Sequence, residues 1–545
     1  MKLAERIEKN LLNYLKAVTH TSTDLETNNE VFFNNWVESV PYFKDHPEYY
    51  GVHEIQNDLL NRKSTWALLK GKGNKTIVMI HHTDTVNVDD YGKYKKYAYN
   101  PYELEKIYKE NNVEMDESSK KDLYSGEWIF GRGASDMKGG GSITYSLLEE
   151  YSQDKEFNGN ILVLGVPDEE NLSAGMRSAI YLLKSLKEKH DLEYVLMLNV
   201  EPHEKVKDKT ITVYDGSVGK LMPIFLVRGK LAHVGQVYKG LNPINILSEI
   251  IRKTELNPDF IEKAGNTVTP APTWLYFKDR KDGYDVSLPI TAGGYMSILT
   301  LTKSPKDILD KLKKLAEESF REAIDIYNLS YEKYKSLSNM TYGNPQWKAN
   351  VKYYGEIYNE IVKEKGDSFI AEITEYQKTI EGKINKNEID RVEGAYELIE
   401  KTLEYYSDLS PLVVIALAPP YYPSTNNSML ESGNKINELI AKMDEFSKKE
   451  CNLGIYTQNY FTGISDLSYA LFTEDNEVID YIKDNMIFWG DMYYIPLDII
   501  RELSMPVLNV GPWGRDLHKY TERVHKKDLF ENIPKLIEFI VKNML

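Results

Sequence analysis

A chain of 545 residues is longer than one ordinary core, so two domains or one domain with large insertions are expected. Its 42% apolar and 28% charged residues are the composition of a globular protein, and no apolar run approaches the ~20 residues that span a bilayer. Against 83 acidic side chains stand 67 basic ones, a net charge of −16 that argues against nucleic acid and against an anionic membrane surface as partners.

The first segment, MKLAERIEKNLLNYLKAV, puts Leu3, Ile7, Leu11, Leu12 and Leu15 on one helical face. Charges interrupt it throughout, unlike a secretory leader, and the lone cysteine, Cys451, excludes an internal disulfide. A cytoplasmic location is expected. Cys451 itself reads as a small buried hydrophobe. Next come short apolar runs, KTIVMI (75–80), NILVLGV (160–166) and YVLMLNV (194–200), which have the texture of strands covered on both faces. Between the last two, AGMRSAIYLLKSLKEKH is an amphipathic helix with basic residues at its end. This alternation predicts an α/β fold with a mixed, mostly parallel sheet.

Near Val213 the texture changes. GKLMPIFLVRGKLAHVG reads as a strand, and NPINILSEIIRK as a helix with Asn242 as cap and Pro243 in its first turn. GGYMSILTL is a further strand, and SPKDILDKLKKLAEESFREAIDIYN a long helix capped by Ser304. Two such pairs suggest a small α+β domain inserted into the larger one. Residues 355–406 are charged and helical, PLVVIALA (411–418) returns to buried-strand texture, and MPVLNVGPWG is a last strand running into a loop. The expected organisation is a discontinuous catalytic domain (1–213 and 409–545), an inserted lid or dimerisation domain (214–354) and a helical extension (355–408).

Polar clusters follow the strands or open a helix: HHTD after Ile80, GRGASDMKGGGS (131–142), PDEEN after Val166, EPH after Val200, and His518 beyond the last strand. In an open α/β sheet, ligands bind outside the carboxyl ends of the strands, so these groups can converge. Taken singly, each has a plain structural reading. Glu169 and Glu170 suit a helix start, the glycines suit a turn, and a histidine at a strand end is commonly a loop or packing residue.

Taken together and in order, the clusters resemble the zinc-dependent family of glutamate carboxypeptidase, succinyl-diaminopimelate desuccinylase, acetylornithine deacetylase and aminoacylase, from about Leu59 to Val524. The length, APPYYPS and GISDLSYA look closer to an arginine-utilisation branch of it. The resemblance implies two zinc ions, with Co2+ or Mn2+ as other divalent candidates. Asp136 would bridge them, His82 and Glu201 completing one site and Glu170 and His518 the other. It also implies a cis bond at Asp136–Met137, Glu169 as general base on the attacking water, and Asp84 as the carboxylate that orients His82. Side chains alternate along a strand, so His81 points away from His82 and takes no metal role.

GKLAHVGQVYKGLNP resembles the family's lid motif. That implies His233 reaching a partner's active site in a homodimer to hold an oxyanion, and Asn242 touching substrate. Val237 stands where the family usually has proline. Ser465 and Asp466, in GISDLSYA, match a substrate-closing loop, although Ser465 can equally cap a helix. The implied reaction is hydrolysis of an amide bond in a small peptide or N-acyl amino acid, in arginine or ornithine metabolism. Glu rather than Asp at position 201 leans toward the carboxypeptidases and deacylases. A single-metal enzyme and an inactive metal-binding or ligand-sensing protein are the competing readings.

Overall fold

The computed structural model describes residues 1–338, 346–490 and 492–545. Residues 339–345, in the expected inserted domain, and residue 491 lie outside the described residues. In chain order the strands that build the two large sheets are β1 (Tyr50–Glu54), β2 (Lys63–Lys70), β3 (Lys75–His82), β4 (Asn160–Val166), β5 (Glu193–Asn199), β6 (Thr210–Tyr214), β7 (Pro223–Arg228), β8 (Thr273–Asp279), β9 (Thr291–Thr300), β10 (Val351–Tyr353), β11 (Leu412–Leu417), β12 (Gly454–Gln458) and β13 (Val507–Asn509). The helices used below are α1 (Leu3–Lys16), α2 (Lys138–Tyr151), α3 (Ala174–His190), α4 (Pro243–Thr254), α5 (Pro305–Leu337), α6 (Tyr354–Lys365), α7 (Asp367–Asn385) and α8 (Arg391–Glu404).

The first sheet runs β1-β2-β4-β3-β5-β13-β6-β12. It is mixed. β3 is parallel to both its neighbours, β4 and β5, while β1 and β2 add antiparallel pairings at one side. The apolar runs of β3, β4 and β5 are buried on both faces because each face has its own cover. On one face Ile77 and Met79 pack with Ile7, Leu11 and Leu15 of α1 and Ile143 and Leu147 of α2. On the other, Val78 and Ile80 pack with Met176, Ile180 and Leu183 of α3.

The second sheet runs β8-β9-β7-β11-β10, with a short strand at Gly219–Leu221 pairing to β9. α4 and α5 form as their caps predict. The Asn242 side chain accepts the Ile244 N–H, and Ser304 and Asp307 form a capping box at the head of α5. One expectation is corrected. The run containing β11 is assigned by its texture to the catalytic domain, but it pairs antiparallel with β7 and parallel with β10 in the second sheet. An unbroken apolar run shows that a strand is covered on both faces; it carries no information about which sheet it enters. The chain re-enters the first sheet at β12, parallel to β6. The α3 face of the first sheet, the second sheet and residues of α6 to α8 form one continuous apolar core.

The glycines of MKGGGS belong to the first turn of α2 rather than to a loop. A Cβ on Gly140 would lie 2.3 Å from the Val200 carbonyl, and one on Gly141 would lie 2.6 Å from the His81 ring. The missing side chains let α2 come down onto the ends of β3 and β5. No helix among the described residues is long and apolar enough to cross a membrane.

These contacts make opposite predictions for two glycine-to-alanine changes in helices. Gly140→Ala meets fixed backbone and is expected to cost about 1–3 kcal/mol, the range for overpacking. Gly382→Ala in α7, where a Cβ meets nothing within 4 Å, is expected to stabilise by about 0.5–1 kcal/mol. Thermal unfolding of both variants beside the wild type reads the two signs.

Candidate active site

Three of the polar clusters are neighbours because their strands are. With β3 between β4 and β5, His82 aligns with Val166 and Ile80 with Asn199. The residues just beyond those points, Pro167–Glu170 and Val200–Glu201, therefore flank His82. Asp136 is delivered from the start of α2 through an Asp136–Met137 peptide that is cis. His518 comes from the loop after β13, with its backbone in the left-handed region (φ 66°).

Asp136 joins the two halves of the cluster. One of its oxygens lies 2.9 Å from His82 Nε2 and the other 3.2 Å from His518 Nε2. Glu170 also faces His518 Nε2, at 3.1 Å, and a Glu201 oxygen faces His82 Nε2 at 3.8 Å. His82, Asp136 and Glu170 offer donor atoms within 4.8 Å of one another, as do His82, Glu169 and Glu201. Glu169, assigned no ligand role from the sequence, thus also brings a carboxylate oxygen within 4.8 Å of His82.

The electrostatics call for positive charge. Burial, then the neighbouring acids, raise the carboxyls of Glu169 and Glu201 well above the usual range. Burial opposes a charge on His82, but Glu201, Asp136 and Asp84 outweigh it and hold the imidazole well above its ordinary value. Packed carboxylates and imidazoles of this kind suit a divalent cation.

Asp84 is placed differently from the role implied for it. His82 Nδ1 is 2.9 Å from the Asp84 backbone carbonyl, and the Asp84 carboxylate is farther, at 3.7 Å. That carboxylate instead accepts the backbone N–H groups of Glu169 (3.1 Å) and Glu170 (3.2 Å). It holds the Glu-Glu pair as well as facing the histidine.

His81 lies on the α2 side of the sheet, edge-on to Tyr145 and Tyr14, with neither ring nitrogen hydrogen-bonded among the described residues. Burial pushes its imidazole down to about 3, so it is a neutral packing group. Cys451 is buried at the end of a helix, and burial raises its thiol.

Ser465 caps the short helix Asp466–Tyr469 and also accepts a hydrogen bond from Asn199 at 2.9 Å, which pins this loop to the end of β5. Asp466 is buried, and that burial pushes its carboxyl up to about 7. The Ser173 hydroxyl lies beside it without a well-aligned hydrogen bond. His233 and Asn242 stand apart. His233 is exposed and accepts the Gly235 N–H at 3.0 Å, and Asn242 uses its side-chain oxygen as the α4 cap. Neither joins the cluster through a hydrogen bond or ion pair among the described residues.

The supporting groups were not legible in the sequence. Glu522 is fully buried and accepts the N–H groups of Ser135 and Asp136 with one oxygen, both at 3.2 Å. Its other oxygen receives the Arg132 guanidinium at 2.6 Å, and Arg132 also donates to the His518 carbonyl at 3.1 Å. On the opposite side, Arg62 bonds Glu26, Asp58 and Asp168, the last of which precedes Glu169 and turns through a positive φ of 73°. Tyr422, from APPYYPS, meets Ser173 at 3.2 Å on the same loop. These partners are up to 390 residues apart, and single charged residues in turn-rich segments give no pairing signal.

The class that this fold and donor set define is a metal-dependent hydrolase. Residues 81–542 match the family described as Peptidase family M20/M25/M40, and the chain belongs to that family, whose members cleave amide bonds. It is 32% identical over 508 residues to the uncharacterized protein YqjN of Bacillus subtilis strain 168, covering 93% of this chain and 90% of that protein. It is 28% identical over 554 aligned positions to protein RocB of the same organism, covering 100% and 96%. Among solved structures, aminopeptidase PepT from Bacillus cereus superposes with a TM-score of 0.52 over 99% of this chain and 98% of that one, at 12% identity. That likeness is one of fold.

The Arg132–Glu522 pair generates a test. Arg132→Met leaves a buried carboxylate without its cation and is expected to cost about 3–5 kcal/mol, the usual penalty for breaking such a pair. The double variant Arg132→Met/Glu522→Leu is expected to regain much of the unfolding midpoint, yet to retain less metal than wild type, because the Asp136 N–H has then lost its acceptor. Unfolding midpoints and bound metal per chain, measured on the same preparations, distinguish the two effects.

Proposed function

We propose that the protein is a di-zinc enzyme that hydrolyses an amide bond, in a peptide or an N-acyl amino acid, with Asp136 bridging the metals. The observation that carries this is the placement of Asp136 between His82 and His518, each with a second carboxylate near the same ring nitrogen. His82 and Glu201 would hold one ion, and Glu170 and His518 the other; Co2+ or Mn2+ would suit the same nitrogen and oxygen donors. Bound there, the metals would supply Lewis acidity toward the scissile carbonyl and an acidified water.

The chain's own groups do the rest. Glu169 takes a proton from the attacking water and passes it to the leaving nitrogen. Its burial and acidic neighbours raise its affinity for that proton, as a general base working near neutrality requires. Asp84 fixes the backbone of Glu169 and Glu170 through two N–H bonds, so the base and the adjacent donor move as one unit. We assign Ser465 and Asp466, on the loop pinned to Asn199, to the substrate side; the influence of the Asp466 carboxyl on Glu169 and Glu201 supports this. Asn242 and His233 would reach substrate only if a second copy of the chain brings its own lid motif to this site, as in a homodimer. The likeness to RocB supports a place in arginine or ornithine metabolism, and the single cysteine a cytoplasmic one.

Two measurements test the scheme. Glu169→Gln is expected to keep two metal ions per chain by elemental analysis and to lower turnover about 10²–10⁴-fold, the range for a general base. Retained turnover would remove Glu169 from that role. His82→Ala is expected to lose metal while His81→Ala keeps it; the reverse result would overturn the assignment at the end of β3.

A further inference from the structure

For Asp136 to meet His82, two segments must keep a fixed spacing: the residues Thr83–Thr85 that leave β3, and the turn that enters α2. A direct hydrogen bond between them, from the His82 N–H to the Met137 sulfur at 3.2 Å, uses a weak acceptor. A fuller connection runs through a part of the chain that carries no metal donor, residues 17–21, just after α1. This segment lies along the loop in the manner of an added strand, with His20 paired parallel to Thr85. The Thr85 N–H donates to the Thr19 carbonyl at 2.8 Å, and the Thr21 N–H to the Thr85 carbonyl at 2.9 Å. The Thr19 hydroxyl donates to the Thr83 carbonyl at 2.6 Å. Thr19, Thr83, Asp84 and Thr85 are all sealed from water, where such bonds are at their strongest. They grip the residues on both sides of Asp84, whose carbonyl faces His82 Nδ1 and whose carboxylate holds the Glu169 and Glu170 backbone.

The near end of the segment is held by Lys138, the first residue of α2. Its side chain is fully buried. The side-chain nitrogen donates to the Ala17 carbonyl at 2.5 Å and lies over the rings of Tyr14 (5.1 Å) and Tyr99 (5.9 Å). The Tyr99 hydroxyl in turn meets the Thr85 hydroxyl at 3.1 Å. A closed path of contacts therefore leaves His82, crosses residues 17–21 to Lys138, and returns through Asp136 to His82. Two further bonds steady the segment: Asn28 donates to the Val18 carbonyl at 2.7 Å, and Asn10 of α1 to the Ser146 hydroxyl of α2 at 2.8 Å. A lysine is almost never fully buried without partners. A methionine would fill the same space; what the amine adds is the bond to Ala17.

We propose that residues 17–21 are a strap belonging to the metal centre and that Lys138 is its positioning residue: by holding the Ala17 carbonyl it sets the spacing between the His82 loop and the Asp136 turn, and with it the affinity for metal. The inference rests on the di-metal reading of this site. Partners beyond the ligands act in this way. They supply no donor atom, yet altering one typically lowers metal affinity or activity by about 10–100-fold.

The test uses full-length protein stripped of metal, with zinc affinity measured by competition against a chromogenic chelator. Lys138→Met keeps the unbranched stem and removes the donor. Thr19→Val keeps the branched shape and removes the hydroxyl bonded to Thr83. Each is expected to weaken zinc binding about tenfold or more. Because both act on one strap, the double variant is expected to lose less than the product of the two single losses. Asn10→Ala, which loosens α1 from α2 without touching the strap, is expected to lower the unfolding midpoint and leave zinc affinity as in wild type. In the Co2+-loaded protein the visible absorption reports donor geometry. It is expected to shift in Lys138→Met and Thr19→Val and to stay unchanged in Asn10→Ala.

Unchanged zinc affinity and an unchanged Co2+ spectrum in the two strap variants would overturn the proposal, whatever their unfolding midpoints do. An equal loss of affinity in Asn10→Ala would also overturn it, by tracing the effect to general stability. Losses that multiply in the double variant would show that Lys138 and Thr19 do not act through one strap. Should Lys138→Met fail to fold, Thr19→Val decides alone, by its zinc affinity and its Co2+ spectrum. A wild type that binds none of zinc, Co2+ or Mn2+ would bring down the di-metal reading, and the strap's role with it; a wild type that binds zinc no better than the strap variants would bring down the strap alone.

Discussion

Glu522 accepts two backbone N–H groups from the turn that carries Asp136, and on its other side it holds Arg132, which in turn reaches the carbonyl of His518. Everything proposed for the active centre depends on this buried pair. Asp136 can lie between two histidines only if the turn before α2 and the loop after β13 keep a fixed separation; a short antiparallel pairing of Trp128–Phe130 with Arg523–His525 joins the bases of these segments, and the Arg132–Glu522 pair carries that link on toward the donors. A salt bridge sealed from water is a poor source of net stability, because desolvation of both ions offsets their attraction. Its value here is geometric: either partner alone would be an uncompensated buried charge, so the two loops hold one relation to each other.

Much of the site could be read from the sequence because its donors follow a strict local grammar. Apart from His518, which lies farther along the loop after β13, each sits at the end of a buried strand, within four residues beyond one, or at the head of a helix that packs on those strands, and the topology of an α/β sheet collects such positions at one edge. The His81–His82 pair shows how far this goes. Alternation along β3 alone separates the ring that packs against Tyr145 from the ring that meets Asp136. The glycines after Lys138 show where it stops. Their number suggested a turn, but what they supply is the absence of side chains against Val200 and His81, a contact between remote segments.

The groups that fix the donors in place escaped the sequence for a different reason. Arg62, Arg132 and Glu522 are ordinary charged residues locally, and only burial and long-range pairing give them meaning. Asp84 was placed on the correct side of His82, yet its carboxylate serves two backbone N–H groups, which no residue pattern announces. The assignment of β11 failed similarly: composition reveals that a strand is covered, while its partners are set by a chain reversal far away.

β10 and β11 are parallel neighbours, and the chain between them is the whole helical extension. Parallel neighbours cannot be joined by a tight turn; they need a crossover of a dozen or more residues. The three helices are therefore an enlarged version of a connection the second sheet requires in any case, rather than an appendage. Such a connection is free to vary in length and in the face it turns to solvent without shifting the register of either strand. This part of the molecule can thus be remodelled by evolution or by design while the strands that carry the histidines and carboxylates stay untouched.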